Sequence, residues 1–315
     1  MRAAALDRFG GPEVLSIHSL PVPTPSAYEV VIAVHYAELG GWDAGIRQEG
    51  SPSGKRPHFP YVLGAGGSGT IAAVGLRVRR FKIGDPVYAY QWDNPKGGFY
   101  AEYVPVAAKN VAAMPSSLDF ARAGAVPIAG LTAIQGIDDA LQVKKGESVI
   151  VHGASGGVGV YALQFAKLRG ARVLATASGA DGVALARKLG ADIAVDGKQG
   201  DIAGAARELA PDGVDAVLAL VGGEALTRCL DTLRKGGRLA YPNGIEPEPR
   251  HRRGIKTKAY DGTPGRREFD RFSRAIEAAA FQVPIAAEFA LADAARAHER
   301  LEQGHILGKI VLRVR

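Results

Sequence analysis

The residues best suited to chemistry form one run, Val149-Ile-Val-His-Gly-Ala-Ser-Gly-Gly-Val-Gly-Val160, which opens directly into the helical pattern Tyr161-Ala-Leu-Gln-Phe-Ala-Lys-Leu168. An apolar strand feeding a glycine cluster and then a helix makes an anion site, because the amides at the helix N-terminus face whatever lies on the turn. The glycines have separate tasks. Gly156 lets the backbone approach a pyrophosphate, and Gly159 lets the helix pack closely on the strand. Gly156, Gly157, Val158 and Gly159 are therefore the candidate pyrophosphate ligands. Arg172-Val-Leu-Ala-Thr-Ala177 follows ~20 residues after the first glycines, the distance at which a second strand ends beside the adenosine ribose. That places Thr176 and Ser178 at the ribose.

The elements that must position this loop alternate regularly. The pattern predicts strands at 149–152, 172–176, 192–195, 214–220 and 237–241, with helices at 157–169, 182–189, 202–210 and 223–233 between them. Such a rhythm implies a parallel sheet covered on both faces, an α/β doubly wound fold that binds its ligand at the carboxyl ends of the strands. Gly222, Tyr241 and Asn243 fall at that edge.

The first 116 residues have a different texture. Short apolar segments such as Glu29-Val-Val-Ile-Ala-Val34, Gly69-Thr-Ile-Ala-Ala-Val74 and Pro86-Val-Tyr-Ala-Tyr90 are separated by glycine and proline, which predicts a β-rich, barrel-like domain. A boundary is expected near Ser117, giving domains at 1–116 and 117–281. After the sheet come a strand at Ile255–Tyr260, a helix from about Arg266 to Phe281, a helix at Leu291–Leu301 and a strand at Gly308–Leu312. With the parallel sheet complete at 241, the last strand is expected to return to the first domain, completing it with residues from about 282 to 315.

Composition narrows the function classes. A 315-residue chain with 47% hydrophobic residues buries a substantial core. No stretch reaches the ~20 apolar residues of a membrane span, and Met1-Arg-Ala-Ala-Ala-Leu-Asp7 meets charge before a signal-like run can build, so a cytoplasmic location without a membrane partner is expected. Cys229 is the single cysteine, which excludes an internal disulfide and a thiolate metal pair. The net charge of +7 permits nucleic-acid attraction without establishing it. The densest basic run, Arg250-His-Arg-Arg253, lacks interleaved aromatics and reads as a solvated loop.

Several stretches together resemble the zinc-independent quinone oxidoreductase (ζ-crystallin-like) branch of the medium-chain dehydrogenase/reductase superfamily, nearly end to end. They are Arg8-Phe-Gly-Gly-Pro-Glu-Val-Leu15, Arg80-Phe-Lys-Ile-Gly-Asp-Pro-Val-Tyr88, Gly97-Gly-Phe-Tyr-Ala-Glu-Tyr103, Gly130-Leu-Thr-Ala133, His152 to Gly159, and Ala297-His-Glu-Arg-Leu301 with Gly308-Lys-Ile-Val-Leu312. The resemblance implies a GroES-like domain holding both termini, a Rossmann domain between them, a nicotinamide cofactor in the cleft, and a homodimer. It also implies roles for Thr132, in Gly130-Leu-Thr-Ala133, and for Gly40 and Trp42, near the nicotinamide. Zinc enzymes of the superfamily hold their metal with a cysteine and a Gly-His-Glu motif. Here that position reads Leu63-Gly-Ala-Gly-Gly-Ser68, so no metal is expected.

Without a metal, the chemistry that remains is hydride transfer to an acceptor already electron-poor, a quinone or conjugated carbonyl. The chain departs from the family at Gly40-Gly-Trp-Asp43, where Asn-Pro-x-Asp is usual. Tyr36, Trp92 and Phe99 offer flat apolar surface for such an acceptor, or simply core. No general acid stands out. An acid at the end of the second Rossmann strand would select NAD, whereas Ala177-Ser178 stands there and points to NADPH over NADH. The lysine and tyrosine that often bind the 2′-phosphate align with Gly182 and Gly197, leaving Lys198, Arg187 or the loop around Arg252 to supply charge. The expected activity is an NADPH-dependent quinone or enone reductase. An alkenal double-bond reductase and a non-catalytic NADPH-sensing or RNA-binding protein are the alternatives.

Overall fold

The computed structural model describes residues 1–50, 58–92 and 94–315. Contacts divide the chain into two units, one of Met1–Ile128, Pro264–Ala278 and Ile285–Arg315, the other of Ala129–Thr263 and Ala279–Pro284.

In the second unit, six strands form one parallel sheet in the order Ile193–Asp196, Arg172–Ala177, Ser148–His152, Val214–Ala219, Leu233–Pro242, Lys256–Tyr260. This is the doubly wound order in which the first strand sits at the centre and the sequence moves outward on each side of it. Val149, Ile150 and Val151 are fully buried, as expected of a strand covered on both faces. The sheet is one strand wider than the alternation predicts. Lys256–Tyr260 pairs in parallel with Leu233–Pro242. It lies at the sheet's edge, and of Lys-Thr-Lys-Ala-Tyr only Tyr260 is buried, so it reads as an unattached segment.

The first unit is built on an antiparallel sheet whose long strand Glu29–Leu39 pairs with Gly66–Val74, Tyr103–Ala107 and Lys309–Arg313. The late strand therefore returns to the β-rich unit. Glycine in Gly66–Val74 has a packing cause: a Cβ on Gly69 would lie 2.0 Å from the Ala33 carbonyl oxygen of the neighbouring strand. The unit also contains a nine-residue helix, Gly41–Glu49, which begins at the stretch where the resemblance puts the family's Asn-Pro-x-Asp.

The split differs from a boundary at 117 and a return at 282. The helix Arg266–Glu277 groups with the first unit because Phe269 and Phe272 pack on the Tyr88 ring, at centroid distances of 5.1 and 6.1 Å, and Ser273 bonds the Tyr88 hydroxyl at 2.8 Å. Its neighbour Phe281 packs instead on Tyr161 and Phe165 of the second unit.

Candidate active site and nucleotide-binding edge

At the carboxyl end of Ser148–His152 the chain turns at Gly153, whose φ of +87° lies in the left-handed region that favours glycine. The amides of Gly153 and Ala154 then donate to the Thr176 carbonyl at 3.1 and 2.9 Å, tying the turn to the adjacent strand. The helix Gly159–Leu168 starts immediately afterwards. A Cβ on Gly159 would sit 2.1 Å from the Gly153 oxygen and 2.7 Å from the Ala154 Cα, so only glycine lets the helix approach this closely. Gly156 differs. Its Cβ would meet the Gly153 oxygen alone, at 3.5 Å, so no protein neighbour demands a glycine there. Val158 provides no side-chain cap to the helix. An open glycine in front of an uncapped helix N-terminus fits a phosphate group, which uses the amides and the dipole together.

The ribose end is arranged differently from the sequence expectation. Thr176 is 1% exposed and its hydroxyl lies 2.6 Å from His152 Nδ1. It is committed to that buried contact and supports the loop from behind through its carbonyl, so its hydroxyl does not face a ribose. Burial holds the His152 pKa down at about 4, keeping the ring neutral. Cys229, expected to be buried, lies 3.6 Å from the same nitrogen, and burial pushes its thiol up to about 12. Ser178 is exposed and precedes the helix Gly179–Lys188.

Beside it stands an acid the sequence reasoning missed. Asp196, from the next strand outward, accepts from the amides of Gly179, Lys198 and Gln199 at 2.7, 2.8 and 2.9 Å. These amides, that of Gln199 foremost, hold its carboxyl below the usual range. The register pairing Ala177 with Asp196 is the signal that would have found it.

Farther along the edge, Gly222 is required by a chain crossing, since its Cβ would lie 2.4 Å from the Pro247 oxygen. The Tyr241 hydroxyl donates to Glu248 at 2.8 Å, and the Asn243 side chain donates to Asp261 at 2.9 Å. Thr132, on the helix Pro127–Gln135, lies against Gly262, and its carbonyl accepts from the Tyr260 hydroxyl at 3.0 Å.

In the first unit, Gly40 precedes the helix Gly41–Glu49 and is covered by Trp42, whose ring would lie 2.2 Å from a Cβ at Gly40. Trp42 meets Trp92 edge to face at 6.1 Å and Lys309 Nζ at 5.3 Å. Its Nε1 is buried without a hydrogen-bond partner among the described residues. Phe99 is fully buried core, and His35 stacks on Phe120 at 4.1 Å.

Residues 26–116 match the family described as alcohol dehydrogenase GroES-like domain, and residues 189–312 the family described as zinc-binding dehydrogenase. The quinone oxidoreductase of Mus musculus is 32% identical, over 99% of this chain and 97% of its own. This chain belongs to the quinone oxidoreductase branch of the medium-chain dehydrogenase/reductase superfamily. Two solved structures have the same architecture over the whole of both chains. One is described as an NAD-dependent alcohol dehydrogenase, with 33% identity and a TM-score of 0.91. The other is the Escherichia coli quinone oxidoreductase complexed with NADPH, with 26% identity and a TM-score of 0.86.

As a member of this branch, the chain is an oxidoreductase with a nicotinamide-binding fold. The zinc in the description of one matched family does not fit the residues present. Leu63-Gly-Ala-Gly-Gly-Ser68 carries no ligand side chain of the zinc-binding type, and among the described residues no group of three His, Cys, Asp or Glu side chains is placed to hold a metal ion. His58, set aside as a ligand, is exposed. What this chain carries near Gly40 instead is a buried polar network that the sequence concealed: Glu38, Asp43, Arg47, Tyr100, His298 and Lys309 are each at most 4% exposed. Its members come from four distant stretches of chain, so no local pattern marks them.

Proposed function

We propose that this protein reduces a quinone or a conjugated carbonyl with NADPH and without a metal. The observation that carries the reading is the Gly153–Gly159 turn, where Gly156 is open for no reason of packing and Gly159 is closed for a clear one. Gly156, Gly157, Val158 and Gly159 would hold the pyrophosphate, Ser178 the adenosine ribose, and Gly222, Tyr241 and Asn243 the remainder along the strand ends. Thr132, Gly40 and Trp42 are assigned to the nicotinamide and acceptor. When bound, the reduced nicotinamide supplies a hydride, so the protein's own share is binding, orientation and exclusion of water. Trp42 and Trp92 give flat apolar surface suited to a conjugated ring. Similarity to quinone oxidoreductases supports the acceptor class. A homodimer belongs to the same proposal, and sedimentation would check it.

NADPH is assigned because Ala177-Ser178 ends the second strand without an acid, and exposed Lys198 follows the next strand outward, its amide and that of Gly179 both held by Asp196. Asp196 stands on the next strand rather than at the end of the second and is held by three backbone amides, so its charge is weighed against that of Lys198 directly by nucleotide preference. The test is a binding titration with NADPH and NADH, followed by nucleotide oxidation on addition of a benzoquinone. Ser178→Asp is expected to weaken NADPH by about tenfold or more, equivalent to about 1.4 kcal/mol, and to leave NADH little changed. Equal loss for both nucleotides, or no binding of either, refutes the assignment.

A further inference from the structure

Asp43 is 1% exposed and occupies the third position of the helix Gly41–Glu49. Its Oδ2 accepts from the Gly40 amide at 2.9 Å, and the Tyr100 hydroxyl also bonds its carboxyl. Every cation near it already has an anion. Lys309 Nζ is 2.8 Å from Glu38 Oε1, and the Arg47 guanidinium bonds Glu302 Oε1 at 2.5 Å. A charged Asp43 would therefore be a buried acid without a cation of its own, an arrangement that strongly favours the neutral form.

The surroundings give the neutral acid somewhere to send its proton. Asp43, Ile46, Tyr61, Leu63, Gln91 and Trp92 line a cavity of about 20 Å³, room for a single water. On the other side the donors run in one direction. Arg47 donates to His298 Nδ1 at 2.9 Å, which leaves the proton of the neutral imidazole on Nε2, 3.4 Å from the Tyr100 oxygen, and turns the Tyr100 proton toward Asp43. Once Asp43 has lost its proton, the Gly40 amide and the Tyr100 hydroxyl remain to hold the carboxylate.

We propose that Asp43 is the proton reservoir of the reaction, delivering through the adjoining cavity the proton that an acceptor needs once it has taken up a hydride. This rests on the reductase reading. Hydride uptake by a quinone or enone leaves an oxyanion or enolate. The O–H bond of Asp43 breaks, a new bond to hydrogen forms on that anion by way of the intervening water, and the carboxylate regains a proton from solvent. Gly40 and Trp42, assigned to the acceptor, are the residues immediately preceding Asp43 or bonded to it.

The charged and titratable groups facing Asp43 come from every element around it: Glu38 on the strand Glu29–Leu39, Lys309 on Lys309–Arg313, Tyr61 on Tyr61–Val62 across the cavity, Tyr100 on the segment after Gly98, and, through Tyr100, His298 on Ala294–Glu302 and Arg47 on its own helix. Burial is the largest influence and raises the Asp43 pKa to about 7, against the opposing Gly40 amide and Lys309. The acid form therefore predominates below about 7 and the carboxylate above it.

Asp43→Asn separates this role from helix capping, because the amide oxygen still accepts from Gly40 but no proton can be given. Infrared difference spectra of wild type against Asp43→Asn are expected to show a protonated-carboxyl band at pH 6 that disappears by pH 9 and is absent from the variant. With NADPH and a benzoquinone, wild-type kcat is expected to be level below about 7 and to fall above it. The Asn variant is expected to be pH-independent and slower by about 10²-fold. Tyr100→Phe removes a donor to the carboxylate, so the band's midpoint and the kcat inflection should both move up together, and this variant decides the matter if Asp43→Asn does not fold. A missing carboxyl band overturns the proposal whatever the activity. So does an unchanged kcat profile in a folded Asp43→Asn. A carboxyl band in a wild-type protein that binds NADPH but reduces no quinone or enone refutes the reductase reading, and the proton delivery that rests on it falls with it.

Discussion

Two alanine substitutions three residues apart distinguish a glycine required by the fold from a glycine reserved for a ligand. At Gly159 the added methyl would stand 2.1 Å from the Gly153 oxygen and 2.7–2.8 Å from backbone atoms of Ala154, against an ordinary carbon contact of about 3.5–4.0 Å. All of these neighbours are backbone, so the helix must retreat by more than an ångström. Overpacking of this kind costs about 1–3 kcal/mol. Each kcal/mol lowers Tm by about 2–4 °C for a domain of this size. At Gly156 the methyl meets one atom at an ordinary 3.5 Å, and its φ is not in the left-handed region. Stability should therefore change by no more than about 0.5 kcal/mol. The methyl would, however, stand where the pyrophosphate belongs. NADPH affinity is expected to fall by about tenfold or more, each factor of ten being about 1.4 kcal/mol. Thermal melts without nucleotide and fluorescence titrations with NADPH provide the two readouts. If Gly156→Ala binds NADPH as wild type does, or is destabilised as much as Gly159→Ala, the placement of the phosphate at this turn is wrong.

Thr176→Val keeps the shape of the side chain but leaves buried His152 Nδ1 without its 2.6 Å partner, so a loss of about 1–3 kcal/mol is expected in chemical denaturation. NADPH affinity should be unchanged, in contrast to what a ribose ligand would show. His298 is held neutral, burial lowering its pKa to about 3, with Arg47 acting in the same direction. Because its folded pKa lies below the unfolded value of about 6.5, the folded state binds fewer protons, and its contribution is lost as pH falls from about 6.5 toward 3, by up to about 1.4 kcal/mol per unit. His298→Gln can accept from Arg47 and donate to Tyr100 without titrating, so melts at pH 7 and 5 should show a smaller acid loss in the variant than in wild type. Equal losses would show that His298 does not titrate as described.

The glycine turn was legible because its strand, its glycines and its helix lie within one short run, from Ser148 to Leu168. The alternation of strands and helices was legible for the same local reason, as was the late strand's return, since Lys309–Arg313 had no place left in the predicted parallel sheet. Features that depend on distant pairing were not. The Thr176 hydroxyl looked available because nothing nearby in sequence shows that His152 faces it. Asp196 is not legible at the second strand's end, because it reaches the same turn from the next strand outward. The polar network around Asp43 depends on Arg47 meeting His298 across 251 residues. Lys256–Tyr260 is legible as a strand but not as part of the sheet, because it lacks the buried apolar run of the central strands such as Ser148–His152.

The pairing of Lys309–Arg313 between Ile285–Ala290 and Glu29–Leu39 also sets an order of events during synthesis. The long strand Glu29–Leu39 leaves the ribosome early, yet one of its partners is made some 270 residues later, along with the lysine that pairs with Glu38 across 2.8 Å. All six strands of the parallel sheet lie between Ser148 and Tyr260, so that sheet can assemble while the unit begun before it is still waiting for a strand. The unit that starts first is the one that finishes last, and until then an acid meant for the interior stands without its counter-charge.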